Sequence, residues 1–270
     1  MDKEHSGISV LRQTDLLDIS RSSAYYQPTI NPQDILIMNA IDEIFTKYPF
    51  YGHRRIRQDL ISDYEIQIGR KRTASLMKTM GLTAIYPKKK WHLSDPDQAA
   101  RKFPYLLSGL PIIEANQVWG TDITYVKLLN GFAYLVAIID WFSRYVIAWE
   151  LSGTLEIEFC LNNLKRALNL GTPQIHNSDQ GSHFTSPKYL NILKSHETIQ
   201  VSMDGRGRCM DNIFTERLWR TVKYENIYLN QYQNAEEANQ GLAEYFQFYN
   251  EKRKHQSLGY KTPAQIYFAK

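Results

Sequence analysis

Three acidic side chains stand in settings where an acid is costly unless it is used. Asp122 lies inside the β-rich run WGTDIT, Asp179 stands at the end of the strand-like run Gln174–Ser178 in HNSDQGSHF, and Glu216 sits in MDNIFTERLWRTVK. Singly, each has an ordinary structural account. Asp122 could cap a backbone turn, Asp179 could be a turn residue, and Glu216 could pair with Arg220 one helical turn on. Jointly they suggest something else. Hard divalent cations such as Mg²⁺ (or Mn²⁺) take oxygen ligands and keep several waters. Two such ions about 3.5–4 Å apart can activate an attacking oxygen and stabilise a leaving one. The chemistry implied is metal-assisted phosphoryl transfer, with all three carboxylates as ligands.

The elements that would position them follow from hydrophobic patterning. Val118–Leu129, Phe132–Asp140 and Arg144–Ser152 are rich in Val, Ile, Tyr and Trp and read as strands. Asn130-Gly131 predicts a tight hairpin between the first two. The middle run is apolar at nearly every position, as in a strand covered on both faces. Helix is expected over Glu156–Leu170, strand over Gln174–Ser178, helix over Pro187–Ser195, strand over Thr198–Met203, and a long helix from Asp211. Three antiparallel strands followed by alternating helix and strand imply an α/β fold, a mixed sheet with flanking helices. That order is the one used by ribonuclease H-like domains. There the first and fourth strands are neighbours, so Asp122 and Asp179 would meet at one edge and the late helix would bring Glu216 to them.

The first third reads all-α. Ile35, Met38, Ile41 and Phe45 recur at helical spacing, and Ile56, Leu60 and Ile61 mark a second helix. Leu76, Met77 and Met80 mark a third, with Gly81 where a C-terminal cap is expected. Leu16–Tyr26 repeats the pattern in miniature. These look like helix-turn-helix pieces. Charge supports a polyanion partner. Lys47–Lys90 holds eleven Lys or Arg against three acids, whereas Ile112–Cys160 holds six acids against two bases. Candidate DNA contacts are Arg54, Arg55, Arg57, Arg70, Lys71, Arg72 and Lys88-Lys89-Lys90, joined by Arg206 and Arg208 in a glycine-containing loop. Arg220 and Lys223 share a helical face with Asn212 and Glu216. The expected organisation is a helical region over 1–86, a basic proline-containing linker over 87–111, a catalytic core over 112–230 and a helical extension over 231–270.

Composition excludes several classes. The longest apolar run, Phe132–Ile139, is far shorter than the 18 or so residues of a membrane helix. No signal peptide is visible, and two cysteines, Cys160 and Cys209, build neither a disulfide framework nor a Cys-rich zinc module. The expectation is a cytoplasmic protein. Asp140 reads as a structural partner of Arg144, Asp204 and Asp211 as loop-flanking acids, and His176 as a core residue.

WGTDITY, HNSDQGSHFTS, GRCMDNIFTERLWRTVKYE and YNEKRKHQSLGYKTPAQIY together resemble the OrfB-type transposases of bacterial insertion sequences. The resemblance runs from about Gln117 to Tyr267, and YGHRRIRQDL with KRTASLMKTMGL extends it over the helical region. It implies a retroviral-integrase-like core whose Asp-Asp-Glu set falls on Asp122, Asp179 and Glu216. It also implies two Mg²⁺ or Mn²⁺ ions, cleavage and joining of transposon ends to target DNA, multimer formation, and an upstream reading-frame product as a possible partner. The 36 residues between Asp179 and Glu216 are one more than the family's usual spacing, and the extra one is placed near Ser195–Thr198. A hydrolysis-only nuclease on the same fold and a catalytically silent DNA-binding regulator are the competing functions.

Overall fold

The computed structural model describes residues 7–25, 31–85, 103–204 and 212–269. The chain divides into two compact units, Met1–Ala84 and Ile85–Lys270. Lys88, Lys89, Lys90, Arg206, Arg208, Cys209 and Asp211 lie outside the described residues.

The first unit is helical: α1 (Val10–Leu16), α2 (Arg21–Tyr25), α3 (Pro32–Lys47), α4 (His53–Ser62) and α5 (Arg70–Thr79). Asn31 caps α3 by accepting from the Gln33 N–H, and Pro32 occupies its first position, where a missing N–H costs nothing. The buried stripe of α3 is Ile37, Ala40, Ile41 and Ile44, while Ile35 is 47% exposed. Ile41 therefore lies inward as the periodicity suggests, but Ile35 is left outside the buried face and Met38 and Phe45 are only half-buried at its margin. Two apolar stripes share this helix, and the one completed by Ile56, Leu60, Leu76 and Met77 forms the core.

The second unit is built on a five-stranded mixed sheet of β1 (Val118–Leu128), β2 (Gly131–Asp140), β3 (Val146–Ser152), β4 (Ile175–Ser178) and β5 (Gln200–Met203). Their order is β3-β2-β1-β4-β5. β1, β2 and β3 pair antiparallel, whereas β4 runs parallel to both β1 and β5. This is the ribonuclease H-like arrangement expected. The hairpin turn sits one residue earlier than Asn130-Gly131 suggests. Leu128 pairs with Gly131, the Leu129 N–H bonds to the Tyr232 carbonyl at 2.8 Å, and Gly131 takes φ 107° within the strand.

Helices cover both faces. α6 (Glu158–Leu170) and α7 (Pro187–Lys194) pack on one around Trp119, Val136 and Ile138. The other carries α8 (Ile213–Val222), a π-helical turn (Lys223–Ile227) running into α9 (Tyr228–Asn230), and α10 (Ala235–Glu251), around Val118, Val126, Leu135 and Ala137. Leu242, Tyr245, Phe246 and Tyr249 of α10 belong to that same core, so the 231–270 segment is packed onto the sheet. α11 (Pro263–Tyr267) opens with a capping box between Thr262 and Gln265. Of the span read as linker, residues 103–111 are fastened to β5. The Met203 N–H donates to Pro104, the Leu106 N–H to Ser202 Oγ, and Leu107 is buried. Both edges of the sheet are guarded, since the Asn250 side chain bonds the N–H and C=O of Val146 at 2.9 and 3.0 Å on the β3 side. Among the described residues, no helix is long and apolar enough to cross a membrane.

Candidate active site

Register places the first two carboxylates. In the parallel β1–β4 pair Gly120 stands opposite Asn177. Two residues further on come Asp122, within β1, and Asp179, just beyond the end of β4, near enough for the charge of Asp179 to act on the Asp122 carboxyl. Asp122 is half-buried. Its Oδ1 accepts from the Ile123 N–H at 2.7 Å and its Oδ2 from the Trp219 indole N–H at 3.0 Å. Burial and the neighbouring Asp179 push its carboxyl up to about 7, against the downward pull of those two hydrogen bonds. Asp179 sits at the exposed rim in a turn closed by the Gly181 N–H on its Oδ1 at 2.9 Å. Its carboxyl is also raised, by partial burial, with the Gly181 bond and His183 opposing.

Glu216 occupies the first turn of α8, exposed to solvent, with its carboxyl raised by burial of part of the side chain. Among the described residues, no three His, Cys, Asp or Glu side chains stand close enough to hold a metal ion together. The structure thus brings Asp122 and Asp179 together and leaves Glu216 outside that pair. It does fix the helix that carries Glu216. Asn212 Nδ2 bonds the Thr121 carbonyl at 3.3 Å, and Thr215 Oγ1 bonds Asn212 Oδ1 at 2.5 Å. α8 approaches β1 at Gly120, where a Cβ would fall on Trp141 Nε1 and lie 2.8 Å from Thr215 Oγ1. Glycine is required there for contact, not for backbone freedom.

Neighbouring groups divide into structural and available. Asp140 is not a ligand and forms no ion pair with Arg144. Its Oδ1 accepts from the Ser143 N–H and Oγ at 2.7 and 2.5 Å, and its Oδ2 from the Asn116 N–H at 2.8 Å. Arg144 instead lies 3.5 Å over the Phe214 ring of α8, and burial lowers its guanidinium to about 10. Asp204, at the end of β5, accepts from Asn177 Nδ2 at 2.8 Å. His176 is fully buried, bonds Tyr189 Oη at 3.0 Å and is pulled down to about 4 by burial, so it is a neutral core residue. Lys223 is half-buried near Asp122; burial lowers its ammonium, and the Asp122 carboxylate opposes that. Arg220 is exposed, 5.8 Å from the Tyr224 ring.

In the helical unit, the basic residues have different engagements. Arg57 Nε donates to the Ile68 carbonyl at 2.7 Å, and Arg72 pairs with Asp34 at 2.5 Å. Arg55 lies 5.2 Å over the Tyr51 ring. Arg54 is exposed, as are Arg70 and Lys71 in the first turn of α5. The patterning that marked the basic segment cannot separate these roles. It also missed Trp219, Gly120 and the buried pair of Glu225 with Arg253. The only signal for these was their place inside the quoted motifs.

Known proteins match along this same layout. Profiles described as an integrase core domain match residues 114–209 and 197–263, and one described as an HTH-like domain matches residues 32–90. The class is that of integrase-type polynucleotidyl transferases. The chain is 32% identical to the transposase for insertion sequence element IS904 of Lactococcus lactis subsp. lactis (strain IL1403), over 79% of this chain and 85% of that one. It is 29% identical to the transposase InsF for insertion sequence IS3A of Escherichia coli (strain K12), over 80% and 76%. Among solved structures it resembles the HTLV-2 integrase catalytic core domain in complex with magnesium (trimeric form), with a TM-score of 0.48 and 22% identity, over 57% of this chain and 98% of that one. The chain belongs to the insertion-sequence transposases. It is a DNA transposase with an HTH-like domain and an integrase core.

Proposed function

We propose that Asp122, Asp179 and Glu216 form the catalytic set of this transposase and hold two Mg²⁺ or Mn²⁺ ions. The observation that carries the reading is the Asp122–Asp179 pair, two neighbouring carboxylates, one within β1 and one just past the end of β4, with the Asp122 carboxyl raised by burial and by the charge of Asp179. An all-carboxylate donor set of this kind suits a hard divalent cation. When bound, the ions supply Lewis-acid activation of a water or 3′-hydroxyl and stabilise the leaving oxygen of the phosphodiester. The remaining chemistry belongs to the protein. The Ile123 and Trp219 donors hold the Asp122 carboxylate in one orientation, and the Gly181 N–H does the same for Asp179. Glu216 stands one turn before Trp219 and two before Lys223, both of which adjoin Asp122, so its helical position directs it toward the same rim. Lys223 and Arg220 extend that face to grip phosphates.

The substrates in this reading are the ends of the element and target DNA, bound through Arg54, Arg55, Arg70 and Lys71 and by a multimer of the chain, acting in the bacterial cytoplasm. An upstream reading-frame product remains part of the proposal. The test is an in vitro reaction with Mg²⁺ and end-bearing DNA, comparing the intact chain with Asp179→Asn and Glu216→Gln. Cleaved and joined products from the intact chain, with both variants binding DNA but yielding neither, are expected. Cleavage without joining would indicate a hydrolytic nuclease. Variants as active as the parent would overturn the assignment.

A further inference from the structure

We propose that Trp219 is a positioning residue for Asp122, its indole N–H setting the orientation of the carboxylate and the seating of the helix that carries Glu216. The inference rests on the reading of Asp122 as a metal ligand and assigns a role that reading does not need. Trp219 Nε1 donates to Asp122 Oδ2 at 3.0 Å, and the indole is 6% exposed within the core formed by Val118, Leu218 and Val222. The donor therefore cannot swing with solvent, and Asp122 inherits its rigidity. Asp179, by contrast, is held through a turn at the exposed rim.

A buried indole in this fold does not have to find a carboxylate. Trp141 Nε1 is buried in the same core without a hydrogen-bond partner. The Trp219 contact is thus directed and not forced by burial. It also has a counterpart on the other side of Glu216, where Asn212 reaches the carbonyl of Thr121, the residue before Asp122. Residues 212 and 219 span about 10 Å of helix, and both side chains converge on consecutive residues of β1. A helix pinned at two such points cannot rotate or slide, so the Cα of Glu216 between them is fixed relative to Asp122. Each Asp122 oxygen accepts one protein hydrogen bond, which leaves further lone pairs for a cation. Groups that orient metal ligands in this way typically change metal affinity or activity 10–100-fold, about that much, when removed.

The test replaces Trp219 in the full chain with phenylalanine and, separately, with 3-benzothienylalanine, which keeps the bicyclic shape and lacks the N–H. Strand cleavage is measured against Mg²⁺ concentration, alongside DNA affinity and melting temperature. Both replacements are expected to lower the maximal cleavage rate or raise the half-saturating Mg²⁺ by about tenfold or more, with unchanged DNA affinity. The benzothienyl variant keeps its melting temperature within a few degrees. If that variant matches the parent in rate and Mg²⁺ dependence, or loses activity only in proportion to folded protein, the inference is overturned. Asp122→Asn separates the two levels. Its inactivity beside a parent-like benzothienyl variant would sink the role of Trp219 alone, whereas its full activity would sink the carboxylate reading as well.

Discussion

Arg253→Met should be among the most destabilising single changes available in the sheet-bearing unit. The Arg253 guanidinium donates from Nε and Nη2 to the two oxygens of Glu225, both at 2.7 Å, and the two side chains are only 5% and 6% exposed. Tyr245 Oη donates to the same carboxylate at 2.9 Å, and Arg253 Nη1 contacts His255 Nε2 at 2.9 Å. Burial would pull the guanidinium down, yet Glu225 holds it above its ordinary value. Removing one partner of a buried pair costs about 3–5 kcal/mol, because the other charge stays desolvated. At about 2–4 °C per kcal/mol for a unit of this size, the melting temperature should fall by roughly 6–20 °C. Glu225→Gln in the same chain removes the stranded charge and still accepts from Tyr245, so the double variant should be more stable than Arg253→Met alone. Urea unfolding of parent, singles and double completes the cycle. A loss below about 1 kcal/mol for Arg253→Met, or strictly additive singles, would refute the account of a desolvated pair. The consequence for activity is local. Glu225 lies in the π-helical turn directly after α8, so the pair anchors the C-terminal end of the helix that presents Glu216. π turns recur at functional sites, where they redirect one side chain without ending a helix.

Other perturbations follow from the same geometry. Asp122 titrates near 7 in the fold against 3.8 ordinarily. A raised acid gives stability that is complete below about pH 4 and lost as pH rises through about 7, a withdrawal of up to roughly 4 kcal/mol at 1.4 per unit. Metal-free Asp122→Asn should therefore melt higher than the parent at pH 8 while losing cleavage, and Mg²⁺ should stabilise the parent but not the variant. Equal melting at pH 8 would contradict this. Gly120→Ala should cost about 1–3 kcal/mol by overpacking against Trp141 and Thr215 and depress cleavage more than DNA binding, as read by calorimetry and gel shift. Replacing Arg70 or Lys71 with Gln should weaken DNA binding across sequences and reduce the slope of log K against log salt by about one each. Arg57→Gln should lower stability instead, since its Nε is committed to the Ile68 carbonyl.

What the sequence discloses and what it withholds have a common physical origin. Strand identity and order follow from short-range patterns, and once β1 and β4 are neighbours Asp122 and the residue just past β4, Asp179, come to the same end of the pair. The rotation of a helix about its axis is different in kind. α3 carries two apolar stripes and buries the one that α4 and α5 can complete, a choice made by partners distant in sequence. For the same reason Glu216 is legible as an acid on a late helix, while the seating of that helix against β1 is not, because it depends on Asn212 reaching Thr121 and Trp219 reaching Asp122 across more than ninety residues. Asp140 shows the converse. Its acid in a strand-end motif resembles a ligand, but only tertiary structure reveals that both oxygens are already taken by Ser143 and Asn116. A carboxylate is therefore diagnostic not by its burial but by what its lone pairs still lack. Asp122 and Asp179 differ from Asp140 in having fewer donors and a like-charged neighbour, which is the condition a cation relieves.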